Sequence, residues 1–270
     1  MSARILVIGN GYIADNFIYS VKDKYDVTVY ARLKNIEYNN ITYIYDSVEH
    51  INMLTNDFDY IYILFGHSRP NTTSTLSEVI YSNVYLISKI LDFASTNMSK
   101  IFYPATSLAL TESTSKLNYY SYSHTIAIDM IRQSKLIYTI CYLHNIYGSL
   151  TGAPKKNKMV IDNFIDCYHD GRYVQLINDG VQRRIFTHIS DVIDYMILSL
   201  ECTSSKEVNL VKNNVMYSIK EIAELLELQT VSVNNTLYSL DDPYTLAIDD
   251  LGTWKEQIDI KNWIINKVKI

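Results

Sequence analysis

The residues best placed to do chemistry begin at the first glycine of the chain. Gly9-Asn10-Gly11-Tyr12-Ile13-Ala14 has the spacing G-x-G-x-x-A and directly follows the apolar run Ile5–Ile8. The first glycine permits a tight turn, the second lets bare main chain approach a phosphate, and a small residue at Ala14 allows a helix to close on a strand. The helix would then offer its first amides, around Tyr12 and Ile13, and the positive end of its dipole to a pyrophosphate. A plain strand-turn-helix can carry the same letters; the place of the motif between an apolar strand and an amphipathic segment makes it read as a dinucleotide site. The second strand ends in Val29-Tyr30-Ala31-Arg32, with no carboxylate to bond two ribose hydroxyls and with a guanidinium able to pair with a 2′-phosphate. NADP(H) is therefore favoured over NAD(H), and the competing reading is a solvated arginine on a surface turn.

Other reactive side chains do not assemble into sites. The six histidines, His50, His67, His124, His144, His169 and His188, have neither zinc spacing nor an i, i+4 carboxylate motif. Cys141, Cys167 and Cys202 are too scattered for a disulfide framework or a C-x-x-C site, and buried inert thiols are expected. Lys155, Lys156 and Lys158 read as a solvated linker before they read as a phosphate clamp.

The elements that must position the glycine motif alternate short β-branched runs with helical patterns, the sign of βαβ units on a parallel sheet. Strands are expected at Arg4–Ile8, Asp26–Tyr30, Thr42–Tyr45, Tyr60–Leu64, Ile101–Pro104 and Tyr138–Leu143. The clearest helix runs from Leu76 to Ser95 with Val79, Ile80, Val84, Ile87, Leu91 and Ala94 on one face, and another covers Tyr122 to Ser134. After Gly148 the composition changes at the loop-like Ser149–Lys158. Helices at Met159–Asp170, Asp191–Leu200, Ile219–Leu226 and Asp259–Lys267 follow, with a short strand at Glu207–Leu210.

At 270 residues, with 48% hydrophobic and 20% charged residues, the chain can bury a substantial core. A net charge of −5 gives no basic stripe for nucleic acid or an anionic membrane, so a small-molecule partner fits better. No apolar stretch approaches a membrane span, and Met1 to Val7 shows no basic-then-apolar leader, which predicts a cytoplasmic protein. The 24 tyrosines read as compositional bias rather than an aromatic platform.

The order of motifs resembles the extended short-chain dehydrogenase/reductase family, in particular its nucleotide-sugar epimerases, dehydratases and reductases, over nearly the whole chain. Leu64-Phe65-Gly66-His67 is similar to the family's apolar strand end beside the cofactor, Asn83 to its recurring helix asparagine, and Asn145-Ile146-Tyr147-Gly148 to its Asn-x-Tyr-Gly turn. The most specific match is Gly180-Val181-Gln182-Arg183-Arg184-Ile185-Phe186-Thr187-His188-Ile189-Ser190-Asp191-Val192. The resemblance implies that Asp46 bonds the adenine, that Phe65, Gly66 and Asn83 border the cofactor, and that Arg184 contacts the nucleotide diphosphate. Ser107 and Asn145 are expected against the sugar; His67 and Arg69 would face the cofactor or sugar, and both are equally readable as ordinary loop polars.

In that family a Ser/Thr after the fifth strand and a Tyr-x-x-x-Lys on the next helix carry proton transfer while hydride moves to or from the nicotinamide. Alignment makes Thr106 the hydroxyl, with Ser107 one register away and not separable from it, and Tyr120 the acid/base. The lysine position is His124. A lysine of reference pKa about 10.4 is a cation at neutral pH, whereas a histidine of about 6.5 is mostly neutral and depresses a tyrosine's pKa less. Three readings stay open: an enzyme in which His124 replaces the lysine, an enzyme using Tyr119 or Tyr122 instead, or a non-catalytic dinucleotide-binding regulator or scaffold.

The resulting expectation is an α/β protein: a Rossmann-type doubly wound parallel sheet over residues 1–148, and a smaller, mainly substrate-binding α/β lobe over residues 149–270, with some elements returning to the sheet. Its expected chemistry is at C4 of a nucleotide sugar through a 4-keto sugar, a 4-ketoreductase being slightly favoured over a 4-epimerase by Arg32. The short interval from Thr106 to Tyr120 predicts a trimmed loop over the sugar. The resemblance also implies a homodimer formed by the two long helices as a four-helix contact.

Overall fold

The computed structural model describes residues 2–66, 75–110, 119–152, 159–211, 215–234 and 254–268. His67, Arg69, Lys155, Lys156 and Lys158 lie outside these described residues.

Strand β1 (Arg4–Ile8) leads into α1 (Tyr12–Val21), and β2 (Asp26–Ala31), β3 (Thr42–Tyr45) and β4 (Tyr60–Ile63) follow. Helix α2 (Leu76–Ile80) continues through a π-helical turn, Tyr81–Tyr85, into α3 (Leu86–Asn97). Then come β5 (Lys100–Thr106), α4 (Tyr119–Gln133), β6 (Tyr138–Leu143) and the short β7 (Asn145–Tyr147). The remainder comprises α5 (Val160–His169), β8 (Val174–Ile177), β9 (Arg183–Arg184), β10 (Phe186–His188), α6 (Ile189–Leu198), β11 (Lys206–Asn209), β12 (Tyr217–Ser218), α7 (Ile219–Leu225), β13 (Thr230–Val233) and α8 (Ile260–Val268).

Seven strands form one parallel sheet in the order β11-β6-β5-β4-β1-β2-β3. The chain leaves β1 in one direction toward β2 and β3 and returns on its other side at β4, so the order reverses between β1 and β4. Loops there diverge and open a crevice at the carboxyl ends of the strands. Alternation along β1 feeds two cores. Ile5 and Val7 pack with Phe17 and Ile18 of α1 and with Val192 and Met196 of α6; Leu6 and Ile8 pack with Ile87 and Ile90 of α3 and with Ala127 and Ile131 of α4. Both faces are covered, which is why β1 reads as continuously apolar rather than alternating.

A third core joins Tyr147, Phe164, Leu176, Phe186, Ile222 and Ile264, from β7 to α8. It lies over the β6 side of the sheet's carboxyl edge, because β7 extends the path of β6 and pairs with β10. The C-terminal half also returns to the main fold: β11 is an edge strand beside β6, and α6 packs in the core with α1.

Three departures from the sequence reading bear on the site. Strand β5 continues to Thr106, so both candidate hydroxyl positions stand at its end. Helix α4 starts at Tyr119, which puts Tyr120 in its first turn. The expected helix face is interrupted: Val79, Ile87, Leu91 and Ala94 are buried, but Ile80 and Val84 are only half-buried. The π turn inserts an extra residue and moves the buried stripe onto Asn83 and Leu86.

At the crevice, Gly9 has φ +111, and a Cβ on it would sit 2.5 Å from the Leu64 carbonyl oxygen. A Cβ on Gly11 would meet nothing within 4 Å. Gly9→Ala is thus expected to destabilise the fold by about 2 kcal/mol or more. Gly11→Ala should stay within about 0.5 kcal/mol of wild type. Urea titration of both variants checks this, and equal destabilisation by the two would contradict it.

Candidate active site

The glycine turn is fixed from both sides. The Gly9 amide donates to the Tyr30 carbonyl at 2.9 Å and the Leu64 amide to the Ile8 carbonyl at 2.8 Å, tying the turn to β2 and β4. Asn35 donates through its side chain to the Asn10 carbonyl at 2.7 Å, and Asn10 donates to the Leu33 carbonyl, so the loop after β2 supports the turn. Gly11 is the N-cap of α1 and no side chain caps that helix. Open space at Gly11, an uncapped first turn at Tyr12 and Ile13, and Ala14 fully buried against the sheet fit a pyrophosphate on main-chain amides. The Tyr12 hydroxyl donates to the Gly148 carbonyl at 2.7 Å, linking this helix to the turn after β7.

Beyond β2, Arg32 is exposed and has no ion pair among the described residues. Glu49 raises the pKa of the nearby Tyr81 hydroxyl and the Arg32 charge acts against that rise, so a carboxylate stands in the same neighbourhood as the guanidinium. Asp46, just after β3, accepts from the Ser47 amide at 2.6 Å, and His50 Nδ1 lies 2.8 Å from the same oxygen, an i, i+4 pair that corrects the sequence reading in which no histidine had a carboxylate at that spacing. The His50 contact and the Ser47 amide hold its carboxyl below the usual range. Its side chain remains 43% exposed, accessible to an adenine amine.

After β4, Phe65 is half-buried and Gly66 has φ +127. Asn83 lies beneath Gly66, where an added Cβ would approach its Oδ1 to 2.7 Å. Asn83 is 2% exposed and donates through Nδ2 to Ser123 Oγ at 3.1 Å; Ser123 in turn donates to the Tyr120 carbonyl at 2.7 Å. The helix asparagine therefore braces the first turn of α4 as well as the strand end.

The Tyr120 hydroxyl stands beside that of Thr106, close enough for the threonine to act on its titration. Thr106 Oγ1 also accepts from the Leu108 amide at 3.3 Å. Ser107 is buried at the head of the 3₁₀ turn Ser107–Leu110, and of the two hydroxyls left open by sequence it is Thr106 that meets Tyr120. Burial raises the Tyr120 pKa above its ordinary value, with the Thr106 hydroxyl acting against it. Among the described residues no cation contributes.

His124 is buried, with its ring centroid 4.8 Å from that of Tyr120 in an edge-on contact. Its Nδ1 lies 2.7 Å from the hydroxyl of Tyr103, a β5 residue that the sequence reading passed over. The available signal was alternation: Ile101, Tyr103 and Ala105 all belong to the core shared with α4. Tyr119 and Tyr122, the other tyrosines considered, are 62% and 53% exposed, whereas Tyr120 faces the Thr106 side.

Across the crevice a cavity of about 260 Å³ is lined by Asn145, Tyr147, Phe164, Gln175, Gln182 and Arg184, among others. Asn145 bonds the Ile185 carbonyl through both its amide, at 3.2 Å, and its side chain, at 3.0 Å. Arg184 reaches the cavity from β9 and donates to the Arg183 carbonyl at 2.9 Å. Gly148 at φ +84 admits His188, whose Nε2 would lie 2.1 Å from an added Cβ. Asp191, fully buried, accepts from the Gln257 and Ile258 amides at 3.1 and 3.2 Å and so anchors the segment leading to α8. Among the described residues no cluster of His, Cys, Asp and Glu could hold a metal ion, and no helix is long and apolar enough to cross a membrane.

Burial lowers the His124 pKa from 6.5 to about 4. The folded state thus binds this proton less readily than the unfolded chain. The stability due to neutral His124 is complete above about pH 6.5 and is lost progressively as pH falls toward 4. The linked loss is about 3 kcal/mol for the apoprotein. Urea midpoints between pH 7 and 4 should fall less steeply for His124→Gln than for wild type; parallel profiles would contradict the assignment.

Residues 5–211 match the family model described as the NAD dependent epimerase/dehydratase family. A curated relative, the UDP-glucuronate 4-epimerase of Thermodesulfobacterium geofontis, is 28% identical over 128 residues, covering 47% of this chain and 36% of that protein. The match thus spans about a third of the curated relative's length. The UDP-N-acetylglucosamine 4-epimerase of Methanobrevibacter ruminantium, solved with UDP-N-acetylmuramic acid, superposes with a TM-score of 0.80 at 17% identity, covering 99% of this chain and 96% of that one. The UDP-glucose 4-epimerase of Thermotoga maritima, solved with UDP-glucose, gives 0.84 at 16% identity, covering 98% and 97%. These two structures share the fold, and the family match extends from β1 through β11 and includes both the glycine turn and the Thr106–Tyr120 pair. The chain belongs to the NAD dependent epimerase/dehydratase family.

Proposed function

We propose that the chain carries out nicotinamide-dependent oxidation–reduction at C4 of a nucleotide-linked sugar, through a 4-keto sugar. The observation that carries this reading is the Thr106–Tyr120 hydroxyl pair, held at the same carboxyl edge of the sheet as the glycine turn. The cavity bordered by Asn145 and Arg184 supports the sugar-nucleotide half, since a guanidinium suits a diphosphate.

Residues around Gly9, Gly11, Tyr12 and Ile13 would hold the pyrophosphate of the dinucleotide, Asp46 its adenine, and Phe65 and Gly66 its nicotinamide side. The bound nicotinamide supplies the site with a hydride acceptor or donor. Thr106 orients the C4 oxygen, and Tyr120 gives it a proton in reduction or takes one in oxidation. Because burial raises the Tyr120 pKa and no cation among the described residues opposes that rise, the phenol is protonated at neutral pH and ready to act as an acid. That state suits ketone reduction. Together with Arg32, which suits the 2′-phosphate of NADPH, it favours net 4-ketoreduction; the family's 4-epimerases support the alternative of transient oxidation and re-reduction.

With NADPH and a panel of 4-keto sugar nucleotides, the wild-type protein should oxidise NADPH. Tyr120→Phe should lower kcat by roughly a hundredfold to ten-thousandfold with circular dichroism unchanged. A folded Tyr120→Phe variant of full activity would exclude the assigned acid. Tight cofactor binding with no turnover and no epimer on any sugar nucleotide would favour a non-catalytic regulator. Arg32→Ala should weaken NADPH, but not NADH, by on the order of tenfold or more; an equal effect on both would return Arg32 to the solvated surface.

A further inference from the structure

The mechanism above uses Tyr120 and Thr106 and leaves a second buried phenol unexplained. Tyr103 is 2% exposed, on β5, with its hydroxyl 2.7 Å from His124 Nδ1 and its ring centroid 5.7 Å from the histidine's. Among the described residues neither the Tyr103 hydroxyl nor the His124 ring has any other hydrogen bond. The contact can be made in two ways. Either Tyr103 donates its proton to Nδ1, leaving the histidine's own proton on Nε2, or Nδ1–H donates to the phenol oxygen.

The two arrangements are not equal inside a core. In the second, the phenol hydrogen points into protein with no acceptor, and Nε2 becomes an acceptor. In the first, the phenol hydrogen is used, and the remaining donor sits on Nε2, which is not among the fully enclosed unpartnered atoms and so can be met by water or a ligand. A buried donor left unpaired is penalised enough to bias the populations by on the order of tenfold to a hundredfold. Deprotonation of Tyr103 offers no third way. Burial, with Tyr120 and Tyr142 as the neighbouring titratable groups, raises its pKa far above the ordinary value.

We propose that Tyr103 is a positioning residue that fixes His124 in the Nε2–H tautomer, so that a neutral hydrogen-bond donor stands beside the Tyr120 ring. The partner chemistry it suits is a neutral hydroxyl, such as those of the nicotinamide ribose, rather than a phosphate. His124 thereby keeps the donor function of an ammonium at this position and gives up its charge. The part concerning the ribose rests on the function proposed above; the tautomer does not.

Two measurements separate these parts. Long-range proton–nitrogen correlation spectra of protein labelled at histidine nitrogens, with His124 assigned by its loss in His124→Gln, report the tautomer in the absence of any cofactor. The expected result is a single neutral tautomer with the proton on Nε2 and an unprotonated Nδ1. A proton on Nδ1, or an imidazolium, at neutral pH overturns the proposal whatever the enzyme does. In Tyr103→Phe the signal should move to a mixture of tautomers, and an unchanged signal would show that the phenol does not set it. Calorimetry should then show Tyr103→Phe binding NADPH about tenfold more weakly than wild type. If wild type binds no dinucleotide at all, the functional reading fails while the tautomer result stands. If the tautomer shifts but affinity does not, the ribose assignment is overturned.

Discussion

The distance between Gly9 and the Leu64 carbonyl governs the rest of the molecule. With φ +111 and only 2.5 Å available for a Cβ, the turn after β1 can be made by glycine alone while β4 lies against β1. That pairing is where the strand order reverses, so the crevice at the sheet's carboxyl edge depends on two backbones approaching without a side chain between them. Everything the site requires is set by strands leaving this point. Strand β4 delivers Gly66, β5 delivers Thr106, and β6 runs into the Asn145 turn. Helix α1, started by Gly11, reaches across to the same turn through Tyr12 and Gly148.

The electrostatic character of the centre follows from what surrounds Tyr120. Its neighbours are a threonine, a buried neutral histidine and a second phenol, with burial raising each phenol's pKa and lowering that of the imidazole. Such a cluster is internally consistent, because a protonated His124 would be an uncompensated buried charge. It also limits the chemistry. With no cation acting on it among the described residues, the phenol is held protonated; under the proposed function, proton donation to a developing alkoxide would cost little reorganisation, whereas removal of a proton from an alcohol would depend on the charge of the coenzyme.

Much of this was legible in the sequence, for identifiable reasons. Strands β1 and β6 match their expected bounds because apolar runs buried on both faces leave little ambiguity, and the edge strand β3 matches as well although it is only half-buried. The glycine turn could be read from its spacing, whereas Thr106, Tyr120, Asn145 and Arg184 were named only through the resemblance, which left Thr106 and Ser107 unseparated. What escaped was of another kind. Tyr103 is one of 24 tyrosines and acquires meaning only from a 2.7 Å contact across β5 and α4. The π turn at Tyr81–Tyr85 breaks a good helical period because Asn83 and Leu86 are carried inward, and no propensity encodes that. Asp191 was read within a motif, yet its anchoring of the Gln257 and Ile258 amides is a long-range contact invisible to local pattern.

The most direct measurement of the central claim is isotopic. Incubating the protein with a 4-keto sugar nucleotide and reduced nicotinamide coenzyme deuterated at its transferable position, then analysing the sugar by mass spectrometry and proton spectroscopy, asks whether hydride passes between the two bound molecules. The account predicts deuterium at C4 and nowhere else on the sugar, delivered to one face. Absence of deuterium from the product, or its appearance at another carbon, would contradict the assignment of this crevice to redox chemistry at C4.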